Sequence, residues 1–334
     1  MPRFRLAACA IAAALTATPV FAQDFYRDRT INVVVGLSTG GGYDLYGRTL
    51  ARHLGKHIPG NPRLVVQNMP GAGSLTSVLW LENVAPRDGT TMLIFNHGLI
   101  GDSVLSPEKV RVDFRRFAWL GSIAEDISAC YMWHTKGPKN LAEVKAYGRI
   151  NFGQTGAGSS SDIAQRILKN ILGVNINEVH GYPGSAELRL AVERGETDGD
   201  CGAWAVLPEE WLKEKKIYPF IKNTPNFGPY MSRDVPYVVD VMPGPREREI
   251  AKLLTTSTQV SRPFIVHRDT PPERLKILRD AFAAMTKDPE FKADIERQRL
   301  TLEPRFEADS LAIVSAITGA SPDIIAGAKK VMTD

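Results

Sequence analysis

The stretch from Ile31 to Leu50, INVVVGLSTGGGYDLYGRTL, constrains the fold more than any other part of this chain. Ile31 to Val35 reads as a strand, and its near-continuous apolar character suits one covered on both faces of a parallel sheet. Gly40, Gly41 and Gly42 follow, and a helical pattern predicts a helix from Tyr43 to His57. A strand that turns through bare backbone into a helix leaves the first helical N–H groups unshielded, and such groups make a site for an anion. Glycine lets a ligand approach that backbone closely. The same residues also cap a helix and pack it on its strand with no ligand present.

The alternation continues. Strands are expected at Leu64 to Gln67 and Thr91 to Phe95, with a helix from Ser74 to Val84 between them. A second cycle has strands at Ala129 to His134, Arg149 to Phe152, Ile176 to His180 and Gly199 to Val206. Its helices run from Leu141 to Tyr147, Ser161 to Leu172 and Ser185 to Arg194. Lys213 to Lys216 reads as a solvated helix end. Beyond that, Ile250 to Leu253 is helical, Arg262 to Val266 is a strand, and three amphipathic helices follow to Thr318. Strand–helix alternation is the signature of an α/β fold with parallel strands. The chain also partly repeats itself: Gly40 to Leu50 overlays Gly158 to Leu168, each with an aspartate (Asp44, Asp162) and an arginine four residues later (Arg48, Arg166). That spacing puts the pair on one helix face. Asp44 is therefore either a first-turn helix charge or a ligand contact.

The opening residues carry Arg3 and Arg5, then an apolar run from Leu6 to Val20 and small residues at Val20-Phe21-Ala22. This is the pattern of a secretory signal peptide, residues 1–22, cleaved after Ala22. The run falls short of the 18 to 20 residues that span a bilayer. Removing Arg3 and Arg5 takes the formal charge from +4 to +2. The remaining charge is mixed, with no basic arm, so nucleic acid is not an expected partner. Cys130 and Cys201 remain, either as two thiols or as one disulfide.

Other chemistries fit less well. A phosphate-binding P-loop ends in Gly-Lys-Ser/Thr, which neither glycine turn has. The dinucleotide pattern needs an acidic residue about 20 positions on, and no Asp or Glu lies between Asp44 and Glu82. No cofactor is expected. Gly36-Leu37-Ser38-Thr39-Gly40 does fit Gly-x-Ser-x-Gly, so a secreted serine esterase with Ser38 as nucleophile stands as the alternative function. It falls on the first strand of the mature chain, before any strand could frame an oxyanion site. His53 and His57 have helical-pair spacing but no intervening Glu, so no metal site is expected. The remaining candidates are carboxylate binders: hydroxyls and amides of Ser38, Thr39, Gly41, Thr155, Gly158, Ser159 and Ser161, with Tyr43, Asp44, Asn96, His97, Tyr182 and Trp204 at strand ends where α/β clefts form. An arginine facing the cleft would suit a carboxylate, but the sequence does not say which.

Several motifs keep their order along the mature chain: Thr39-Gly40-Gly41-Gly42-Tyr43-Asp44, Asn68-Met69-Pro70-Gly71-Ala72-Gly73, Ala85-Pro86-Arg87-Asp88-Gly89, Thr155-Gly156-Ala157-Gly158-Ser159, Gly181-Tyr182-Pro183-Gly184-Ser185 and Gly195-Glu196-Thr197-Asp198. In these the chain resembles the extracytoplasmic substrate-binding (Bug-type) receptors of tripartite tricarboxylate transporters. The resemblance implies a two-lobed periplasmic solute-binding fold, each lobe a sheet flanked by helices, joined by a two-strand hinge. It places lobe 1 at 23–124 plus 260–334 and lobe 2 at 125–259, with hinge strands near Ile123 to Ala129 and Thr256 to Pro263. It also implies a monomer in the periplasm that captures a small organic carboxylate between its lobes. No bond of the ligand is broken, and the ligand passes to a membrane permease of one large and one small integral subunit. Cys201-Gly202-Ala203 stands where the family has Phe-Asp-Asn. That departure favours a less polar dicarboxylate, aliphatic or aromatic, over a citrate-like ligand.

Overall fold

The computed structural model describes residues 25–125, 127–154, 156, 159–182 and 184–333. The expected signal peptide at 1–22 lies outside them, as do Thr155 and Gly158 among the candidate site residues. Along the chain, β1 (Thr30–Val35) leads to α1 (Gly42–His53), β2 (Arg63–Asn68) to α2 (Leu75–Asn83), and β3 (Thr91–Ile94) to α3 (Gly98–Leu105), followed by β4 (Ala118–Ser122). A second set comprises β5 (Ser128–Trp133), α4 (Leu141–Ala146), β6 (Ile150–Gly153), α5 (Ser160–Asn170), β7 (Ile176–Val179), α6 (Ser185–Glu193), β8 (Gly199–Ala203), α7 (Glu209–Lys213) and β9 (Ile217–Lys222). After α8 (Pro245–Thr255) come β10 (Pro263–Val266), α9 (Pro272–Met285), α10 (Pro289–Arg297), β11 (Arg305–Phe306), α11 (Glu307–Thr318) and α12 (Pro322–Thr333).

Two sheets result, ordered β11-β4-β10-β3-β1-β2 and β7-β6-β8-β5-β9. They share one plan. In the first, β1 lies between parallel neighbours β2 and β3; in the second, β6 lies between parallel neighbours β7 and β8. Beyond this parallel half the strands reverse. β10 runs antiparallel to β3 and β4, and β5 runs antiparallel to β8 and β9. Each lobe is thus a mixed sheet flanked by helices, as expected, parallel in one half and antiparallel in the other. β5 and β10 are the first strands built after the chain crosses from the other lobe, and each enters its sheet from the opposite end.

Side-chain alternation explains why β1 is so apolar. Val33 and Val35 face one core, with Leu50, Ile94, Phe264 and Phe282, while Val34 faces the other, with Leu93, Phe95 and Trp119. All three valines are fully buried, each worth roughly 1.5–3 kcal/mol of transfer free energy. The second sheet is likewise two-faced, with Cys130 and Met132 on one side and Ala129, Tyr131 and Trp133 on the other. Cys130 and Cys201 sit opposite each other in β5 and β8 and form a disulfide, which resolves the choice between bridge and thiols. Helix α12 packs Ala328 and Val331 into the core of the second sheet beside Ile250 and Leu254.

The two crossings between lobes run side by side. Ile123 N donates to Arg262 O at 3.2 Å, Arg262 N to Ser122 Oγ at 3.2 Å, and Ser261 Oγ to Ala124 O at 3.0 Å.

Candidate ligand cleft between the lobes

The first corner forms where β1 meets α1. A Cβ on Gly36 would lie 2.6 Å from Ser74 Oγ and Ser77 Oγ, so only glycine lets the strand leave the sheet this close to α2. Helix α1 then starts from Gly41 with no side-chain cap, which leaves its leading amides open. Its support comes from Asp44. Asp44 Oδ2 accepts from Gly40 N and Arg48 Nε, both at 2.9 Å, and Oδ1 accepts from Asn68 Nδ2 at 2.9 Å. Asn68 Nδ2 also reaches Leu37 O at 2.9 Å. Burial alone would push the Asp44 pKa up, but the hydrogen bonds from Arg48, Gly40 and Asn68 hold it below the usual carboxylate range. Asp44 is 3% exposed and braces the turn.

A second brace fixes Tyr43. Its hydroxyl lies 2.8 Å from His97 Nδ1 and 3.4 Å from Asn96 Oδ1. Burial, then the charge of Arg262, pushes the His97 pKa down to about 3 against a backbone hydrogen bond at Ser261 that favours the charged form. The ring is therefore neutral at physiological pH, and it orients Tyr43 by hydrogen bonding. The Arg262 guanidinium lies 4.6 Å from the centre of the Tyr43 ring and 5.1 Å from that of Tyr46, a cation–π sandwich at the base of the cleft. Arg262 Nη1 donates to Ser261 O at 2.8 Å.

The second corner is capped by its own side chains. Ser159 Oγ accepts from Asp162 N at 3.2 Å and lies 2.9 Å from Ser161 Oγ. Asp162 and Arg166 form the ion pair expected from their spacing, at 3.0 Å. Nearby, α6 starts from an uncapped Gly184. A Cβ on Gly153 would meet Leu188 Cδ1 at 2.0 Å and Tyr182 Cε2 at 2.8 Å, so this glycine admits both side chains at the end of β6.

A cavity of about 140 Å³ lies between the corners. Of the residues singled out in the sequence, Ser38, Gly41, Tyr43, Asn96, Ser159 and Ser161 line it. Thr39 is exposed beside it. Asp44 and His97 are buried behind the wall, and Tyr182 is half-buried against Gly153 and outside the lining. Trp204 is a core residue, 2% exposed, with Nε1 donating to Pro229 O at 2.8 Å. The start of α1, the start of α5 and the start of α6 all contribute to the lining, so three helices present their positive ends to one space. Among the described residues no group of His, Cys, Asp and Glu could hold a metal ion, and Ser38 is not hydrogen-bonded to a histidine.

Arg262 and Asp200, the two charged residues of the lining, were not identified from the sequence. Arg262 was one cation among many until the crossing strand placed it. Asp200 carried a signal that went unread: a carboxylate between glycines in a strand expected to be buried.

No family model matches the chain. Among curated proteins it is 24% identical to a UPF0065 protein of Agrobacterium vitis, from the TAR-I ttuE-ttuC' intergenic region, over 86% of this chain and 88% of that one. It is 28% identical to a UPF0065 protein from the gbd 5' region of Cupriavidus necator, over 62% and 64%. Among solved structures it superposes on the periplasmic binding protein BugD with a TM-score of 0.71 at 20% identity, covering 92% of this chain and 98% of that one. MatC from Rhodopseudomonas palustris, with bound malate, gives 0.70 at 21% identity over 91% and 99%. A second R. palustris protein, with adipate, gives 0.71 at 19% identity over 90% and 97%. The chain has the two-lobed α/β fold of these periplasmic binding proteins.

Proposed function

We propose that this protein captures a small organic carboxylate in the cleft between its lobes and delivers it to a tripartite tricarboxylate-type permease with large and small integral subunits. It would act in the periplasm as a monomer after removal of residues 1–22. One observation carries the reading: three helix N-termini, drawn from both lobes, converge on a single cavity. Amides at such termini stabilise a carboxylate without needing a counter-ion, and Arg262 adds a cation on the lining. The ligands in MatC and its R. palustris relative, malate and adipate, are short dicarboxylates, which fits the same reading. The volume supports a small ligand, because roughly 150 Å³ houses a benzene ring.

The mechanism follows from the placement of the corners. Ligand bound to one lobe gains contacts from the other only when the lobes approach, so the closed form is favoured by the difference in affinity between the two states. The paired crossings at Ile123 and Arg262 supply the hinge. The test is a thermal-shift screen of the processed protein against short mono- and dicarboxylates. At a hundredfold excess over Kd, a binder adds about 2.7 kcal/mol of stability. We expect at least one dicarboxylate of four to six carbons to do so and to be recovered unchanged. Absence of any stabilisation across the panel would refute the reading. Ester hydrolysis that disappears in Ser38→Ala would replace it with the esterase.

A further inference from the structure

The cavity that offers three helix N-termini to an anion also contains a carboxyl group of its own. Asp200 is 4% exposed and lines the cavity from β8. Its Oδ1 accepts the Cys201 N–H at 2.7 Å. Among the described residues, no donor is hydrogen-bonded to Oδ2. Gly202, on the same face of the strand, leaves room for that oxygen, since a Cβ there would stand 2.9 Å from it.

We propose that this cavity captures a carboxylate with Asp200 in its protonated form, taking up from solvent whatever part of a proton the free carboxyl lacks, and that its O–H then donates to an oxygen of the ligand. The inference rests on the carboxylate-binding reading above and names a residue that reads the ligand within it. Two like charges within so small and buried a space repel strongly, and the less costly state neutralises one of them. The surroundings favour Asp200 as the group that is neutralised. Burial, opposed by the Cys201 N–H and by Arg189 of α6, pushes its pKa up to about 7 before any ligand enters. Tyr131, facing it from β5, is itself a buried hydroxyl whose pKa is raised chiefly by burial. Asp198, two residues along the strand, is paired with Lys136 at 2.8 Å and Arg262 lies on the opposite lobe. A ligand anion raises the proton affinity of Asp200 further, so binding and protonation reinforce each other by linkage.

The experiment measures the affinity of the processed protein for malate and for adipate by calorimetry at pH 6.5 and 8.5, where both acids are dianions. The same titrations are run on Asp200→Asn, which keeps the size and the hydrogen-bonding capacity of the side chain. We expect wild-type affinity to fall about tenfold or more between the two pH values, with proton uptake visible as a heat that depends on the buffer. Asp200→Asn should bind with little pH dependence and no proton uptake. Equal wild-type affinity at both pH values, or a pH dependence that survives in Asp200→Asn, overturns the proposal and leaves carboxylate capture standing. Loss of binding in Asp200→Asn at both pH values, with an unchanged unliganded melting temperature, also overturns it, because the residue would then act as an ionised acceptor. If neither acid binds wild type at either pH, carboxylate capture itself fails and takes this proposal with it.

Discussion

Of the two helices that carry the repeated Asp–Arg pair at the cavity, the first lobe's α1 starts on glycine and the second lobe's α5 starts on serine. Helix α1 begins from Gly41 with its amides uncapped, while α5 begins from Ser159, whose hydroxyl already accepts the Asp162 N–H. Both corners carry the same Asp–Arg pair, at 2.9 Å in one and 3.0 Å in the other. A helix start can be stabilised by its own cap or held from outside. The first corner takes the second route, with Asp44 tied to Gly40 and Asn68 and Tyr43 tied to His97. External bracing leaves backbone donors open, whereas self-capping leaves hydroxyls in their place. Under the proposed function, the open amides of α1 would make the main anion contact in the first lobe, and the serines of α5 with the uncapped start of α6 the contacts from the second.

The largest expected effect comes from filling the gap that the first corner keeps open. A Cβ on Gly42 would sit 3.2 Å from Arg262 Nη2 and 3.6 Å from Val206 Cγ1, so leucine there extends across the cleft from one lobe to the other. Gly42→Leu should lower carboxylate affinity by at least about a hundredfold, or 2.7 kcal/mol, and leave the unliganded melting temperature nearly unchanged. A variant that binds as wild type does would show that the ligand lies elsewhere.

Next in size is the external brace. Asp44→Ala removes the acceptor for Gly40 N and Asn68 Nδ2 inside a buried turn. Loss of charge-assisted bonds of this kind costs about 2 kcal/mol of stability. Urea unfolding should show a lower midpoint at constant slope, together with weaker ligand binding. A cost below about 0.5 kcal/mol would mean that the corner does not depend on Asp44, and the contrast between the two helix starts would lose its basis.

The sequence made much of this legible. The strands β1, β2, β3, β6 and β7 and the helices α1, α2, α5 and α6 were readable because a buried parallel strand and an amphipathic helix write different periods into the chain. Among the elements missed, three have a diluted pattern: α3 contains Gly98 and Gly101, β4 contains Gly121, and β9 contains Pro219; the two-residue β11 and the last helix, α12, were missed as well. The antiparallel strands were missed as such because direction depends on where a chain re-enters a sheet, which no local pattern records. The same limit applied to the cavity. Five lining residues were found through the glycine turns that carry them, and Asn96 through its place at the end of β3. Arg262 and Asp200 were not, since their positions depend on strands distant in the sequence: Arg262 N meets Ser122, and Asp200 pairs with Tyr131. Thr155 and Gly158, outside the described residues, remain part of the proposed second corner on sequence grounds alone.

The smallest expected effect concerns what stands near the two paired aspartates. Asp44 is surrounded by donors, whereas Asp162 lies close enough to Asp102 of α3 for the two charges to interact. Burial, then the charge of Asp162, pushes the Asp102 pKa up to about 6. Asp102 also lines a narrow gap shared with Ile163, Leu253 and Met332, so it stands where the first lobe touches helices packed on the second sheet. A folded-state pKa above the unfolded value of about 3.9 means that the native chain holds this proton longer than the unfolded chain does. Its contribution is therefore most favourable below about pH 4, declines between pH 4 and 6, and is fully unfavourable above that. Asp102→Asn removes the titration. Relative to wild type, the variant should gain about 1 kcal/mol of stability on going from pH 4 to pH 7.5, read from urea midpoints at the two pH values. A relative stability that stays flat across that window would mean that the carboxyl is well solvated, and that Asp162 is as free of like-charge repulsion as Asp44.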